Sequence, residues 1–132
     1  MTIKSMRLLT ALCDRADARA ELVADALWSG YFCAADAASA KQPDDDDVLY
    51  AACVHAELNA DEIKSLLADA KSDAVKQRLK DATAELIALG AFGMPSIFVE
   101  KDGERKRYFG SDRFELIAFD FGLKWQGPQG KR

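Results

Sequence analysis

Ser111 and Asp112 are the residues whose types and spacing best suit a chemical task. They stand in Gly110-Ser111-Asp112-Arg113, which reads as a helix entry with Ser111 as N-cap. A helix N-terminus offers unpaired N–H groups and the positive end of a dipole, both suited to a carboxylate. Asp112 can accept from an ammonium group, so a zwitterion could have both charges answered at once. The same two residues also serve as a plain N-cap and a dipole-friendly first-turn carboxylate. Both readings stand at the level of sequence.

Other reactive side chains give weaker signals. Cys13, Cys33 and Cys53 are widely spaced, and no pair forms a C-x-x-C redox or zinc motif. Their apolar or small neighbours predict buried thiols in a reducing compartment. His55 is the only histidine and reads as structural or surface. Asp44 to Asp47 lack the alternating ligands and turn glycine of a calcium loop, and predict a solvated, acidic helix start. No metal ligands and no catalytic residue are assigned. Lys101, Arg105, Lys106 and Arg107 make a basic hairpin, open to a phosphate contact but read as a solubilising surface.

The elements that would position these residues follow from periodicity and punctuation. Met6, Leu9 and Cys13 predict a helix over 5–13. Asp17 is the expected cap of a second helix to about Ala34, with Ala20, Val23, Ala24, Leu27, Trp28 and Tyr31 packed in the core. The stretch 34–47 is the softest. Val48 to Ala56 continues as a short helix. Asn59 and Glu62 form a capping box before Ile63, Leu66 and Leu67. Ser72 starts a helix with a stripe of Val75, Leu79, Ala82, Leu86 and Leu89, which Gly90 closes. Pro95 leads the strand Ser96-Ile97-Phe98-Val99, expected to be buried. Lys101-Asp102-Gly103 turns the chain, and Tyr108-Phe109 end the return strand. A last helix is expected from about Asp112 to Phe121, with Gly122 closing it and Trp125 packing back. The tail from Gln126 is expected to fray.

The chain has 132 residues with 49% hydrophobic and 30% charged residues, and a net charge of −4. These values fit a folded domain and argue against a general nucleic-acid or anionic-membrane binder. No apolar run approaches the ~20 residues of a membrane span, and no secretory leader or C-terminal address is expected.

The sequence Gly90-Ala91-Phe92-Gly93-Met94-Pro95, a hairpin, then Phe109-Gly110-Ser111-Asp112-Arg113 resembles the C-terminal half of a thioredoxin-like domain. In particular it resembles the kappa-class glutathione transferases and the 2-hydroxychromene-2-carboxylate isomerases. The resemblance extends through Lys124 to Pro128 and back to Ser5-Met6-Arg7. It implies an α/β, mostly helical fold: an all-helical insertion domain over 1–71, the thioredoxin-like part over 72–126, and a flexible tail over 127–132.

It also implies that Pro95 is cis, that Met94 pairs by backbone with the glutathione peptide, and that Ser111 and Asp112 hold its γ-glutamyl end. The strand and Ser-Pro-Tyr-type loop with which family members begin, and their catalytic Ser, have no counterpart in this sequence. The expectation is therefore a glutathione-binding half-site, incomplete for catalysis, in a chain whose enzymatic nature comes by family. Rival readings are a non-catalytic binding or dimerisation module and a glutathione-dependent isomerase. The resemblance further implies a homodimer or other self-association, partly because removing the first strand opens an edge of Ser96 to Val99. The implied location is intracellular: cytoplasmic, mitochondrial or peroxisomal.

Overall fold

The computed structural model describes residues 2–33 and 42–127. Most of the soft stretch 34–47 and most of the tail lie outside the described residues. The elements are α1 (Ile3–Asp14), α2 (Ala20–Phe32), α3 (Asp46–His55), α4 (Ala60–Asp69), α5 (Asp73–Ala88), β1 (Ser96–Lys101), β2 (Glu104–Phe109) and α6 (Phe114–Asp120). The fold is thus mostly helical, with one small antiparallel sheet. Two compact units divide it, Met1–Thr83 and Ala84–Arg132. Among the described residues no helix is long and apolar enough to cross a membrane.

In the first unit, α1 packs on α2 and α4, while α3 packs on α2 and α4. Each helix contributes apolar residues at a spacing of three or four. Leu8 and Leu12 come from α1, Val23 and Leu27 from α2, Leu49 and Cys53 from α3, Ile63 and Leu66 from α4. A fully buried Leu or Ile adds about 1.5–3 kcal/mol over an exposed one, so this cluster carries the unit's stability.

Local signals set several helix ends. Asn59 Oδ1 accepts from the N–H groups of Asp61 and Glu62 at 3.1 and 3.0 Å, and Glu62 Oε2 accepts from Asn59 N at 2.7 Å. The capping box is therefore complete. Glu62 also binds the Arg19 guanidinium at 2.8 Å. Ser72 Oγ accepts from Val75 N at 3.2 Å. Asp17 Oδ1 accepts from Arg19 N at 2.9 Å, so it closes a turn, and α2 starts after Arg19 rather than at Asp17.

The aspartate run has a second role that its sequence does not display. Asp45 is the N-cap of α3, and Asp46 and Asp47 occupy the first turn as expected. Asp44 instead reaches the start of α1. Its Oδ1 accepts from Lys4 N at 3.0 Å and from Ser5 N at 3.1 Å, and lies 3.1 Å from Ser5 Oγ. Ser5 Oγ donates to Pro43 O at 2.6 Å. Two free N–H donors at a helix N-terminus are thus satisfied by a carboxylate from another segment.

Other expectations fail here because their neighbours lie elsewhere. Cys13 and Cys33 are exposed, and only Cys53 is buried. Cys13 lies off the Leu8–Leu12 face of α1, and Cys33 stands just past the end of α2. Trp28 is 58% exposed and Tyr31 40%, because Val23 and Leu27 already fill the face of α2 that meets α1 and α3.

The second unit is built on a hairpin. Asp102 and Gly103 both take positive φ (54° and 80°), as a two-residue turn matching the strand twist requires. The register runs from Ser96 opposite Phe109 to Lys101 opposite Glu104. Gly110 N donates to Pro95 O at 3.1 Å, which makes that pair a hydrogen-bonded one. By alternation Ile97, Val99 and Lys101 bond to β2, while Ser96, Phe98 and Glu100 turn their N–H and C=O groups to the other edge. No third strand pairs there among the described residues.

The two faces of this hairpin differ. Ile97, Val99 and Tyr108 share the face that α6 covers, where Tyr108 Oη donates to Asp120 Oδ2 at 2.7 Å. Burial and this carboxylate push the Tyr108 phenol up to about 12. On the opposite face Phe109 stacks on Phe92, with ring centroids 4.6 Å apart. The strand is half-buried, not buried as its composition predicts: Ser96 to Val99 all keep partial exposure. Gly90 and Gly122 close α5 and α6 at positive φ. Ala91 N reaches back to Leu86 O, and Leu123 N to Ala118 O. Of the α5 stripe only Val75 is buried, and Leu89 is 37% exposed. Trp125 is 40% exposed, so the expected packing back leaves part of its surface open.

Candidate functional site

The Met94-Pro95 peptide bond is cis. Pro95 stands opposite Gly110, so the Gly110 N to Pro95 O hydrogen bond brings the start of β1 beside the segment Ser111-Asp112. All four residues singled out in the sequence therefore lie at one end of the hairpin. All four are exposed, Met94 at 73%. Ser96 Oγ is engaged locally, donating to Gly93 O at 2.6 Å.

Asp112 folds back toward Gly110. A Cβ placed on Gly110 would collide with Asp112 Oδ1, and Gly110 holds φ +109°. Only glycine tolerates both at this position. The Arg113 guanidinium lies beside the carboxylate, with Nε 3.6 Å from Asp112 Oδ1, and donates to Phe109 O at 3.3 Å. Arg113 is thus a cation at the site that the sequence reading did not single out. Its position directly after Asp112 was the available signal.

Ser111 is not the N-cap. The helix begins at Phe114, Arg113 occupies the cap position, and no side chain caps it. Ser111 and Asp112 form the turn before the helix. The turn needs Gly110 at positive φ to swing the chain away from β2, and that delays the first helical residue. Any binding here rests on the Asp112 and Arg113 charges, the Ser111 hydroxyl and the local backbone, not on the dipole of a seven-residue helix.

The basic hairpin is internally engaged. Arg105 pairs with Glu100 at 2.7 Å, Arg107 donates to Gly90 O and lies over the Phe92 ring, and Lys106 lies over Phe121. Lys101 Nζ donates to Phe121 O at 3.2 Å. These contacts answer the charges within the unit and support the surface reading.

A separate cavity of about 580 Å³ lies in the first unit between α2 and α3. Asp25, Ser29, Cys33, Asp47 and His55 contribute to its wall over a floor of small residues. None of these belongs to the site predicted from sequence. Among the described residues no group of three or more His, Cys, Asp or Glu is placed to hold a metal ion.

Comparison with known proteins places these elements. The model of the DSBA-like thioredoxin domain matches residues 1–121. Glutathione S-transferase kappa 1 of Rattus norvegicus is 31% identical over 127 residues, 96% of this chain and 54% of the rat protein. Glutathione S-transferase kappa 1 of Homo sapiens is 39% identical over 80 residues, 61% of this chain and 35% of the human protein. The chain therefore spans about half the length of the rat relative and about a third of the human one. The helical unit, the cis-proline hairpin and the closing helix all fall inside the matched residues, and the chain belongs to the DSBA-like thioredoxin domain family, with homology to kappa-class glutathione transferases.

Proposed function

We propose that this chain carries the glutathione-binding half of a kappa-class-like transferase site, at Met94, Pro95, Ser111 and Asp112. The observation that carries the reading is the Pro95–Gly110 hydrogen bond, which sets a peptide-pairing backbone beside a carboxylate and a guanidinium. Glutathione is an extended tripeptide with a zwitterionic γ-glutamyl end. Its cysteinyl backbone pairs with the N–H and C=O of Met94 in antiparallel fashion, and Pro95 shapes that approach. The α-ammonium meets Asp112, and the α-carboxylate meets the Ser111 hydroxyl and the Arg113 guanidinium. The similarity to proteins named glutathione S-transferase supports the choice of ligand and the leaning toward an enzyme.

In this reading the chain's own residues bind and orient glutathione. The hydroxyl that would favour its thiolate form is not among the residues assigned, so the half-site is incomplete for catalysis. A second reading, a binding or dimerisation module, is favoured by the open edge of β1. Self-association belongs to both, because an unpaired edge of apolar residues recruits a strand.

Calorimetric titration with glutathione tests the site. The chain is expected to bind saturably, and Asp112→Ala to weaken binding at least tenfold. No binding by the folded chain, or equal binding by the variant, would remove glutathione from this site.

A further inference from the structure

Arg107 differs from its basic neighbours in what it holds. Arg105 pairs with Glu100 across the hairpin, and Lys101 and Lys106 both meet Phe121 just past α6. Arg107 instead reaches the segment 90–95, which leads from the end of α5 into β1. Its guanidinium donates to Gly90 O, and its Cζ lies 5.3 Å from the Phe92 ring centroid. Phe109, on the same face of β2, stacks on that ring with centroids 4.6 Å apart. Gly110 N, just past the strand, donates to Pro95 O at 3.1 Å. The segment is therefore fastened to the end of the return strand at Gly90, at Phe92 and at Pro95.

The glycines of the segment fit this arrangement. A Cβ on Gly90 would collide with Arg107 Nη1, and one on Gly93 would come to 3.1 Å from the Phe109 ring. Without side chains at 90 and 93, the backbone lies directly against Arg107 and Phe109. Met94 sits between the fastenings at Phe92 and Pro95, with its own side chain left 73% exposed.

We infer that Arg107 is a positioning residue for the glutathione half-site. It anchors the segment 90–95 on β2, and so holds the Met94 N–H and C=O in place for a peptide ligand to pair with. The inference rests on the reading proposed above and adds to it a residue that does not itself touch the ligand. Arg107 acts before the ligand arrives. An anchored segment has little freedom left to lose on binding, whereas a loose one must be ordered at that moment. The contacts of Arg107 face solvent, so a cation over a ring and one charged hydrogen bond together amount to about tenfold in affinity.

Amide NMR on Arg107→Met and Arg107→Lys, without and with glutathione, is the test. Methionine keeps a flexible side chain over Phe92 but cannot donate to Gly90 O, while lysine keeps both a donor and the cation. In the free protein the Gly110 amide reports whether Pro95 is docked. Its hydrogen exchange should quicken about tenfold in Arg107→Met, relative to the amides of Ile97 and Val99, and return toward the original rate in Arg107→Lys. Glutathione should shift the amide resonances of both Met94 and Asp112 in the unaltered chain. In Arg107→Met the Met94 shift should be lost and the Asp112 shift should persist, with affinity about tenfold weaker, and lysine should restore the Met94 shift. Equal Met94 shifts and equal affinity in Arg107→Met would overturn the role of Arg107 and leave the glutathione reading standing. No shift in the unaltered, folded chain would overturn the glutathione reading and with it the role of Arg107 in binding. Unchanged Gly110 exchange in Arg107→Met would overturn the anchoring itself, whether or not glutathione binds.

Discussion

The two units solve the burial problem to different extents. All fourteen buried core residues of the main cluster lie between Leu8 and Val75, in the first unit. In the second unit the buried hydrophobics among the described residues are Tyr108 and Ala118. Phe92, Met94, Phe119 and Leu123 there are each more than 60% exposed. The first unit therefore has its own source of stability, while the second holds its shape through turns, hydrogen bonds and one helix over one sheet face. Residues proposed to bind ligand and partner sit on the less packed unit. Local stability is generally lowest where proteins bind and move.

The difference can be broken most forcefully in the core. Leu66→Ala, at a fully buried position, should cost about 2–5 kcal/mol in chemical denaturation. Phe119→Ser, at a position 81% exposed, should change stability by less than about 0.5 kcal/mol. Equal costs would mean that the second unit has a core as tight as the first.

The Asp44 clamp comes next. Asp44→Ala leaves the α1 N-terminus unsatisfied and should cost about 1–3 kcal/mol. Burial raises the Asp44 pKa, but hydrogen bonds from Ser5 and Lys4 outweigh it and hold the carboxyl below its usual range. Hydrogen bonds from Arg19 bring Asp17 down to about 2. Both folded values are depressed, so both contributions are present above the unfolded carboxylate pKa and are lost as pH falls. The urea midpoint should drop between about pH 4 and pH 2. The drop should be smaller in the double variant Asp17→Asn, Asp44→Asn. An unchanged pH profile in that variant would assign acid sensitivity elsewhere.

Smaller effects sharpen the contrast locally. Asn59→Ala removes the capping box and should cost about 1 kcal/mol. Cys13 and Cys33 should react quickly with a disulfide reagent at pH 8. Cys53, buried and with its thiol pushed up to about 11, should react only as the first unit opens. Three equally fast thiols would contradict the packing described for α3.

What the sequence made legible was local. Asn59 with Glu62, Asp102 with Gly103, and Gly90 and Gly122 each act within a few residues, and each does what its type and spacing predict. Pro95 and Ser111-Asp112 each drew notice by residue type, but their union into one site was legible only through resemblance to a family, because a hydrogen bond across the hairpin unites them. The reach of Asp44 to α1 spans about forty positions and leaves no periodic trace. The exposure of Cys13, Cys33 and Trp28 depends on which helix face meets a neighbour, which a single helix's pattern does not specify. The late start of α6 depends on the backbone conformation of Gly110, and the sequence marks only that a glycine is there.

Residue-resolved amide hydrogen exchange at low protein concentration tests the contrast between the units most directly. The amides of Leu12, Cys53 and Leu66 should exchange only through global unfolding. Those of Ile97 and Val99 should exchange at least a hundredfold faster, and the outward-facing Phe98 and Glu100 faster still. Equal protection of β1 and α4 would contradict the account: the chain would then unfold as one body, and the hairpin would not be the open, binding part of the molecule.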